Sequence, residues 1–186
     1  GRATAVAFAK EGADICIAYY NEHEDAQITK SYIEAQGRRC LLMAGDIRDE
    51  MFCRKAVACT VSTFGGLDIL VNNAGVQFPQ ASIEDISIDQ MVLTFEVNFF
   101  GMFIMTKTAL PYLKCGSSII NTTSITAYVG NDQLIDYSST KGAIVSFTRA
   151  MARSVVSKGI RVNAVAPGPI WTPLQPASWP ACVIPT

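Results

Sequence analysis

Short β-rich segments alternate with longer segments of helical character along the whole sequence. Strands are predicted at residues 14–20, 40–44, 67–71, 118–124 and 160–166. Helices are predicted at residues 2–11, 22–36, 49–64, about 88–114 and 136–157, with a loop at 76–87 and an irregular tail after Pro167. Strands separated by helices of this length form right-handed βαβ units with parallel strands. The sequence therefore predicts an α/β fold with a doubly wound parallel sheet between two helix layers, a three-layer αβα arrangement.

Composition is typical of an ordinary folded domain. Of the 186 residues, 49% are apolar and 17% charged, which suits a single domain over residues 1–186 and excludes a disordered chain. The net charge is −1 without a basic stripe, which argues against a nucleic-acid partner. The charge-free apolar segment 97–106 is shorter than the roughly 20 residues of a membrane span, so no membrane association is expected. Residues 162–186 carry six of the eight prolines, so no helix is expected there.

The cysteines predict neither a metal site nor a disulfide framework. None of the six forms a Cys-x-x-Cys pair, and His23 is the only histidine. Free cysteine behaves as a small buried hydrophobe. We therefore expect reduced core thiols in a cytoplasmic protein, and no metal.

The strongest chemical pattern is a tyrosine followed four residues later by a lysine, Tyr137 and Lys141, early in the long helix. Residues four apart share a helix face. A neighbouring ammonium favours the phenolate, so the pKa of Tyr137 is expected to fall towards the working range of a general acid/base. The alternative is a surface tyrosine packed on a lysine stem.

Three other features fit a site at the carboxyl edge of the predicted sheet. Ser124 ends a strand, where its hydroxyl can bind a substrate oxygen, or alternatively the local backbone. Asn73, Ala74 and Gly75 follow another strand, where small residues allow a flat ligand to approach, although an ordinary turn has the same composition. Asn98 lies in a helical stretch although asparagine is a poor helix former. The alternative is an ordinary polar residue that faces solvent.

Together these features resemble the short-chain dehydrogenase/reductase family over essentially the whole chain and in the same order. The resemblance implies a Rossmann-like fold that binds NAD or NADP. It implies a catalytic set of Asn98, Ser124, Tyr137 and Lys141. The cofactor would contact Tyr137, Lys141 and the following residues: Asp46, Ile47, Asn73, Ala74, Gly75, Pro167, Gly168, Ile170 and Thr172. Within the family, the chain looks like the bacterial stress-protein and glucose-dehydrogenase-like branch.

The resemblance also implies a mechanism for the interconversion of a carbonyl and an alcohol. Tyr137 would transfer a proton to or from the substrate oxygen, which Ser124 orients and polarises. Lys141 would lower the pKa of Tyr137 and hydrogen-bond the nicotinamide ribose. Asn98 would hold a water that relays protons to bulk solvent, and the cofactor would carry the hydride.

The sequence departs from the family pattern at both ends. It begins at Gly1, which matches the last glycine of the family's phosphate-binding turn, and it stops at Thr186, before the substrate lid and final strand. The family's first strand is central in the sheet order 3-2-1-4-5-6, so its absence would expose two strand edges. The chain is therefore expected to be a fragment. The alternative function is a truncated, non-catalytic relative that serves as an interaction module or is inactive.

The charges that follow the first predicted strand bear on the choice between NAD and NADP. No Lys or Arg lies between Lys10 and Lys30. Three carboxylates, Glu22, Glu24 and Asp25, come just after the strand predicted at residues 14–20, where the adenine ribose is expected. A carboxylate repels a 2′-phosphate, so NAD is expected over NADP, unless Arg2 supplies a cation.

A homotetramer or homodimer is expected because two helical segments are apolar on more than one face. The first is the segment 97–105, and the second is the long helix, with its stripe of Ile144, Phe147, Met151 and Val155. The substrate is a small carbonyl or alcohol compound whose identity the sequence leaves open.

Overall fold

The computed structural model describes residues 1–179, which divide into two compact units. The first unit contains residues 1–68 and 104–113, and the second contains residues 69–103 and the described residues from 114 onward. All strands pair in parallel and alternate with helices, which confirms the Rossmann-like α/β fold class. The expectation of a single domain stays a prediction.

The first unit is a two-stranded parallel sheet with three helices. Its elements are α1 (Arg2–Lys10), β1 (Ile15–Tyr19), α2 (His23–Glu34), β2 (Cys40–Ala44) and α3 (Glu50–Phe64). Asp49 caps α3 by accepting a hydrogen bond from the Met51 amide, and Gly65 ends it at φ 86°, a left-handed conformation that favours glycine. The core of this unit includes Phe52, Cys53 and Ala56.

The second unit contains a three-stranded parallel sheet in the order β3-β4-β5. Its strands are β3 (Ile69–Asn72), β4 (Ser118–Thr122) and β5 (Arg161–Val165), and its helices are α4 (Ile88–Phe95), α6 (Thr126–Val129), α7 (Ile135–Val155) and α8 (Leu174–Ser178). A π-helical segment, Glu96–Phe100, continues α4 into α5 (Gly101–Ala109), whose residues from Ile104 onward belong to the first unit. Single 3₁₀ turns lie at Ile83–Asp85 and Val156–Lys158 in the second unit and at Leu110–Tyr112 in the first.

The strands are less uniformly buried than the sequence predicts. The central strand β4 is almost fully buried, but four of the five residues of β5 are exposed. Ile69, at the start of β3, is 40% exposed. In the described part of the chain, β3 and β5 each pair with β4 alone, as β1 and β2 pair only with each other, so each of these strands has one open edge.

The proline-rich tail is not wholly irregular, contrary to expectation. Residues Leu174–Ser178 form α8, with Pro173 at its N-cap and Pro176 in its first turn. Proline is tolerated there because the first amides of a helix have no intrahelical partner to lose. The last seven residues lie outside the described part of the chain.

The apolar helical run is longer than the segment considered in the sequence. Helical structure is continuous from Ile88 to Tyr112, a run of 25 residues that is long and apolar enough to cross a membrane by length and composition alone. Core helices of soluble proteins meet the same test. The expectation that no apolar segment is long enough to span a membrane is therefore wrong. The absence of membrane association stays a prediction.

The described cysteines are free thiols, as expected, but most are not core residues. Cys53 is fully buried, Cys115 is exposed, and Cys16, Cys40 and Cys59 are partly buried. Burial raises the pKa of the Cys53 thiol to about 11, which keeps it protonated and unreactive at neutral pH. Cys182 lies outside the described residues.

Candidate active site

The first turns of α7 place Tyr137 and Lys141 side by side in the interior of the second unit. Tyr137 is 8% exposed and Lys141 is 3% exposed. The Lys141 ammonium lies 5.3 Å from the centre of the Tyr137 ring and donates a 2.9 Å hydrogen bond to the carbonyl of Thr122, the last residue of β4. The helix and the strand therefore fix this cation together.

Burial shifts the pKa values of both side chains towards their neutral forms. It raises the pKa of Tyr137, against which the Ser124 hydroxyl acts in the lowering direction. It also lowers the pKa of Lys141 to about 8. The direction for Tyr137 is opposite to the sequence expectation, because desolvation of the phenolate outweighs the favourable contacts and Lys141 is not among the causes.

Ser124 lies two residues beyond the end of β4 and is 7% exposed. Its hydroxyl oxygen accepts hydrogen bonds from the Thr126 amide at 3.2 Å and the Thr126 hydroxyl at 3.1 Å. The Ser124 hydroxyl also lies near enough to the Tyr137 phenol to lower the pKa of that group. The preceding Thr123 donates to the Lys141 carbonyl at 2.8 Å. The turn after β4 thus holds Ser124 beside the phenol of Tyr137.

Asn98 is 1% exposed and lies in the π-helical segment, not on a solvent-facing surface. Its Oδ1 accepts from the Val76 amide at 2.7 Å, and its Nδ2 donates to the Val76 carbonyl at 2.9 Å and to Thr140 Oγ1 at 3.1 Å. Because both amide hydrogens are used within the protein, the side chain ties the loop after β3 to α7. Its role in a water relay stays a prediction.

The loop after β3 explains the glycine at position 75. A Cβ atom there would lie 3.3 Å from Asn98 Oδ1, which is closer than most Cβ contacts, and 3.5 Å from Lys141 Nζ, which is an ordinary van der Waals contact. The adjacent Asn73 and Ala74 are exposed. A glycine backbone beside a buried ammonium leaves space for a flat ligand, so these residues fit a nicotinamide cofactor.

The other residues of the implied cofactor site follow β5 in the second unit. The Pro167 carbonyl accepts from the Ile125 amide at 3.0 Å, which joins this loop to the turn that carries Ser124. Gly168, Ile170 and Thr172 are exposed. Their side chains and backbone are accessible to a ligand.

Asp46 and Ile47 belong to the first unit, at the end of β2. Hydrogen bonds from the Arg48 side chain hold the pKa of the Asp46 carboxyl below its usual value, and the closest lies at 2.6 Å. Ile47 packs against the core of that unit. Asp46 is therefore ionised at neutral pH.

Sequence reasoning missed a buried carboxyl group next to Tyr137 in the chain. Asp136 is 4% exposed and accepts hydrogen bonds from Thr94 Oγ1 at 2.8 Å, Gln90 Nε2 at 3.1 Å and the Tyr137 amide at 2.8 Å. Gln90, Thr94 and Asn98 recur at intervals of four in an otherwise apolar helix. That spacing indicates a polar helix face and was the available sign of a buried network.

No cluster of metal-ligating side chains occurs in residues 1–179, and metal binding was not expected from the sequence. The residues that converge are instead a tyrosine, a serine and a lysine in a buried setting. This set can hold and move a proton at a substrate oxygen.

The chain matches proteins of known sequence over nearly its whole length. A family model described as Enoyl-(Acyl carrier protein) reductase matches residues 1–180. General stress protein 39 of Bacillus subtilis (strain 168) is 62% identical over 180 residues, which cover 97% of this chain and 63% of the relative. The uncharacterized oxidoreductase YhdF of the same organism is 65% identical, with 97% and 62% covered.

A more distant relative and two solved structures extend the comparison. Glucose and ribitol dehydrogenase of Daucus carota is 42% identical, with 96% of this chain and 64% of the relative covered. A short chain dehydrogenase from Burkholderia cenocepacia J2315 in complex with NADP has a TM-score of 0.88 at 36% identity, covering 95% of this chain and 73% of that one. NADH-dependent reductase A1-R′ complexed with NAD has a TM-score of 0.84 at 27% identity, covering 91% and 73%. The chain spans less than two thirds of the length of these curated relatives.

Proposed function

Because the chain belongs to the short-chain dehydrogenase/reductase family, we propose that the full-length protein is an oxidoreductase that interconverts a carbonyl and an alcohol with a nicotinamide cofactor. The observation that carries this proposal is the convergence of Tyr137, Ser124 and Lys141 in one buried site. The 62% identity to general stress protein 39 supports the expected bacterial stress-protein branch.

The proton chemistry follows from the geometry of the three side chains. In the reducing direction, the Tyr137 hydroxyl gives its proton to the substrate oxygen, and in the oxidising direction its phenolate takes that proton back. Ser124 donates a hydrogen bond to the same oxygen and stabilises the charge that develops there. The cationic Lys141 favours the phenolate that proton donation leaves behind.

The cofactor, when bound, supplies or accepts the hydride. Asn73, Ala74 and Gly75 would line it on one side, and Pro167, Gly168, Ile170 and Thr172 on the other. Lys141 retains two ammonium hydrogens beyond the one given to the Thr122 carbonyl, and these would bind the ribose hydroxyls. That Asp46 and Ile47 of the first unit bind the adenine ring stays a prediction from the family resemblance.

The contacts of Arg2 support the expected preference for NAD over NADP. Arg2 is committed to α2, where its guanidinium contacts Asp25 Oδ1 at 2.9 Å and Thr29 Oγ1 at 3.0 Å. An arginine held in this way is not directed at a 2′-phosphate. The ratio of kcat/KM for the two cofactors tests the preference, and a clear advantage for NADP would contradict it.

The function itself is tested with a panel of carbonyl and alcohol substrates and both cofactors, using the full-length protein and its Tyr137→Phe variant. This change removes the hydroxyl that moves the proton and leaves the ring in place. We expect turnover to fall by about 10²-fold or more while cofactor affinity is retained. A variant within about tenfold of the parent would exclude Tyr137 as the acid/base.

The same substrate panel distinguishes the enzyme from a non-catalytic interaction module. A full-length protein that binds neither cofactor and turns over no member of the panel would favour the non-catalytic interaction module. The intact set of Tyr137, Ser124 and Lys141 favours the enzyme.

A further inference from the structure

Thr126 directs two hydrogen-bond donors at the same acceptor, the hydroxyl oxygen of Ser124. Its backbone amide lies 3.2 Å from that oxygen and its side-chain hydroxyl lies 3.1 Å from it. Thr126 is partly buried at the start of α6, in the turn that follows β4. Within residues 1–179, the Thr126 hydroxyl hydrogen-bonds Ser124 and neither Tyr137 nor Lys141, so we expect its effect on the reaction to pass through Ser124.

The direction of each hydrogen bond follows from counting donors and acceptors. A serine hydroxyl has one proton and two lone pairs. The Thr126 amide can only donate, so it occupies one lone pair. The Thr126 hydroxyl, at 3.1 Å, donates to the second lone pair. This leaves the proton of Ser124 for the Tyr137 side, in agreement with the lowering effect of Ser124 on the pKa of Tyr137.

With both lone pairs filled, Ser124 can act only as a donor. A hydroxyl that accepts hydrogen bonds is also polarised into a stronger donor. We propose that Thr126 is a positioning residue, which holds the Ser124 proton towards Tyr137 and the substrate oxygen. This inference rests on the proposed function for its effect on turnover, but its effect on Tyr137 is independent of any substrate.

Several charged residues surround Tyr137 and bear on the effect of Ser124 on its pKa. Lys141 lies against its ring and Asp136 precedes it. The charged residues on other elements packed against α7 are Asp89, Glu96, Lys158 and Arg161. Burial raises the pKa of Tyr137 and the Ser124 hydroxyl acts in the lowering direction, so weakening the contribution of Ser124 should raise that pKa further.

The test compares Thr126→Val with Thr126→Ser in the full-length protein. Valine keeps the shape and the backbone amide but removes the hydroxyl, whereas serine restores it. We expect kcat/KM for alcohol oxidation to fall about three- to tenfold in Thr126→Val and to be largely recovered in Thr126→Ser. The alkaline shift of the pH profile should occur in the valine variant alone, because its phenolate forms at higher pH. Thr126→Ala serves in place of Thr126→Val if the latter does not fold.

A second readout does not depend on activity. The titration of Tyr137 is followed by NMR with ring-labelled tyrosine, and its resonance is assigned by its loss in Tyr137→Phe. A higher titration midpoint in Thr126→Val but not in Thr126→Ser supports the proposal, even in a protein that turns over no substrate, which would refute the proposed function alone. An unmoved midpoint in Thr126→Val overturns the proposal whatever the activity.

Discussion

Burial acts on Tyr137 and Lys141 as a pair. It favours the neutral phenol and the neutral amine, yet proton transfer from the phenol creates a phenolate beside the ammonium. The site is therefore suited to protonate a substrate oxygen near neutral pH, where Tyr137 carries its proton and Lys141, with a pKa of about 8, carries its charge.

Replacement of Lys141 by alanine should reduce both the rate and the cofactor affinity of the full-length protein. Without the cation the phenolate is less favoured, so the pKa of Tyr137 rises and the profile for alcohol oxidation moves to higher pH. The rate at a fixed neutral pH should fall about tenfold for each unit of that rise. Initial rates across pH and cofactor titration measure the two effects.

Lys158→Ala is the matched control, since this exposed lysine lies beyond the end of α7. It should leave the pH profile and the cofactor affinity as in the parent. A Lys141→Ala variant with an unchanged profile and unchanged affinity would contradict the double role of Lys141.

Residues whose roles depend on local spacing could be predicted from the sequence, and residues that depend on distant partners could not. The spacing of Tyr137 and Lys141 sufficed to place them on one helix face. The partners of Asp136 lie 42 and 46 positions earlier in the chain, and no local pattern joins them. The sign of the Tyr137 pKa shift was also beyond sequence reasoning, because desolvation depends on the packing around the ring.

At the scale of elements, α4 and α7 are joined by buried polar contacts. Asp136 lies in the first turn of α7, and its donors Gln90 and Thr94 both lie on α4. A buried carboxylate is costly unless hydrogen bonds satisfy it. The network therefore fixes the start of α7 against α4.

Removal of one donor from this network should lower stability. Thr94 is fully buried, and Thr94→Val deletes its hydroxyl with little change in shape. We expect the free energy of unfolding to fall by about 1–3 kcal/mol, because the buried carboxyl group of Asp136 loses a hydrogen-bond donor. Urea unfolding at one fixed protein concentration measures the change.

Ser139→Ala is the control for this prediction, since its exposed hydroxyl bonds only the Ile135 carbonyl one turn earlier in α7. Its effect should stay within about 0.5 kcal/mol. Equal destabilisation by Thr94→Val and Ser139→Ala would show that the contact between α4 and Asp136 does not stabilise the unit.

Elements with strong local patterns were predicted closely, and those set by packing were not. Strand β2 has the predicted bounds, and α3 ends at Phe64, before the predicted glycine stop. Strand β3 begins two residues later than predicted, where its pairing with β4 begins. The short helices α6 and α8 offer too few turns for a periodic pattern, and the π-helical segment around Asn98 depends on tertiary hydrogen bonds.

At the scale of the whole molecule, α4 and the segment after it carry several exposed hydrophobic side chains. They present five such side chains: Ile88 at 69%, Met91 at 40%, Val92 at 43%, Phe100 at 51% and Phe103 at 46%. An exposed patch of this kind is typical of an interaction surface. The same composition brings the run Ile88–Tyr112 within the range of a membrane span.

The contribution of α7 to an interface is smaller than the sequence predicts. Ile144 and Val155 are 2% and 1% exposed, so they belong to the core of their own unit and are not available to a second copy. Phe147 is partly buried. Its ring packs edge-on against Phe99, with ring centroids 6.0 Å apart, and tilted against Phe103, with ring centroids 5.7 Å apart. The apolar surface is therefore centred on the phenylalanines of the π-helical segment and α5.

We propose that this surface joins two copies of the full-length protein, and Phe100→Glu tests the assembly. The parent should have the mass of a dimer or tetramer by light scattering at micromolar concentration. The glutamate would place a carboxylate in an apolar contact, once from each copy across a two-fold axis, and should weaken association by roughly a hundredfold or more. Met51→Glu is the matched control, because Met51 is 78% exposed on α3, outside this surface, and its replacement should leave the mass unchanged. A monomeric parent would contradict the assembly, and a Phe100→Glu variant with the parent's mass would place the interface elsewhere.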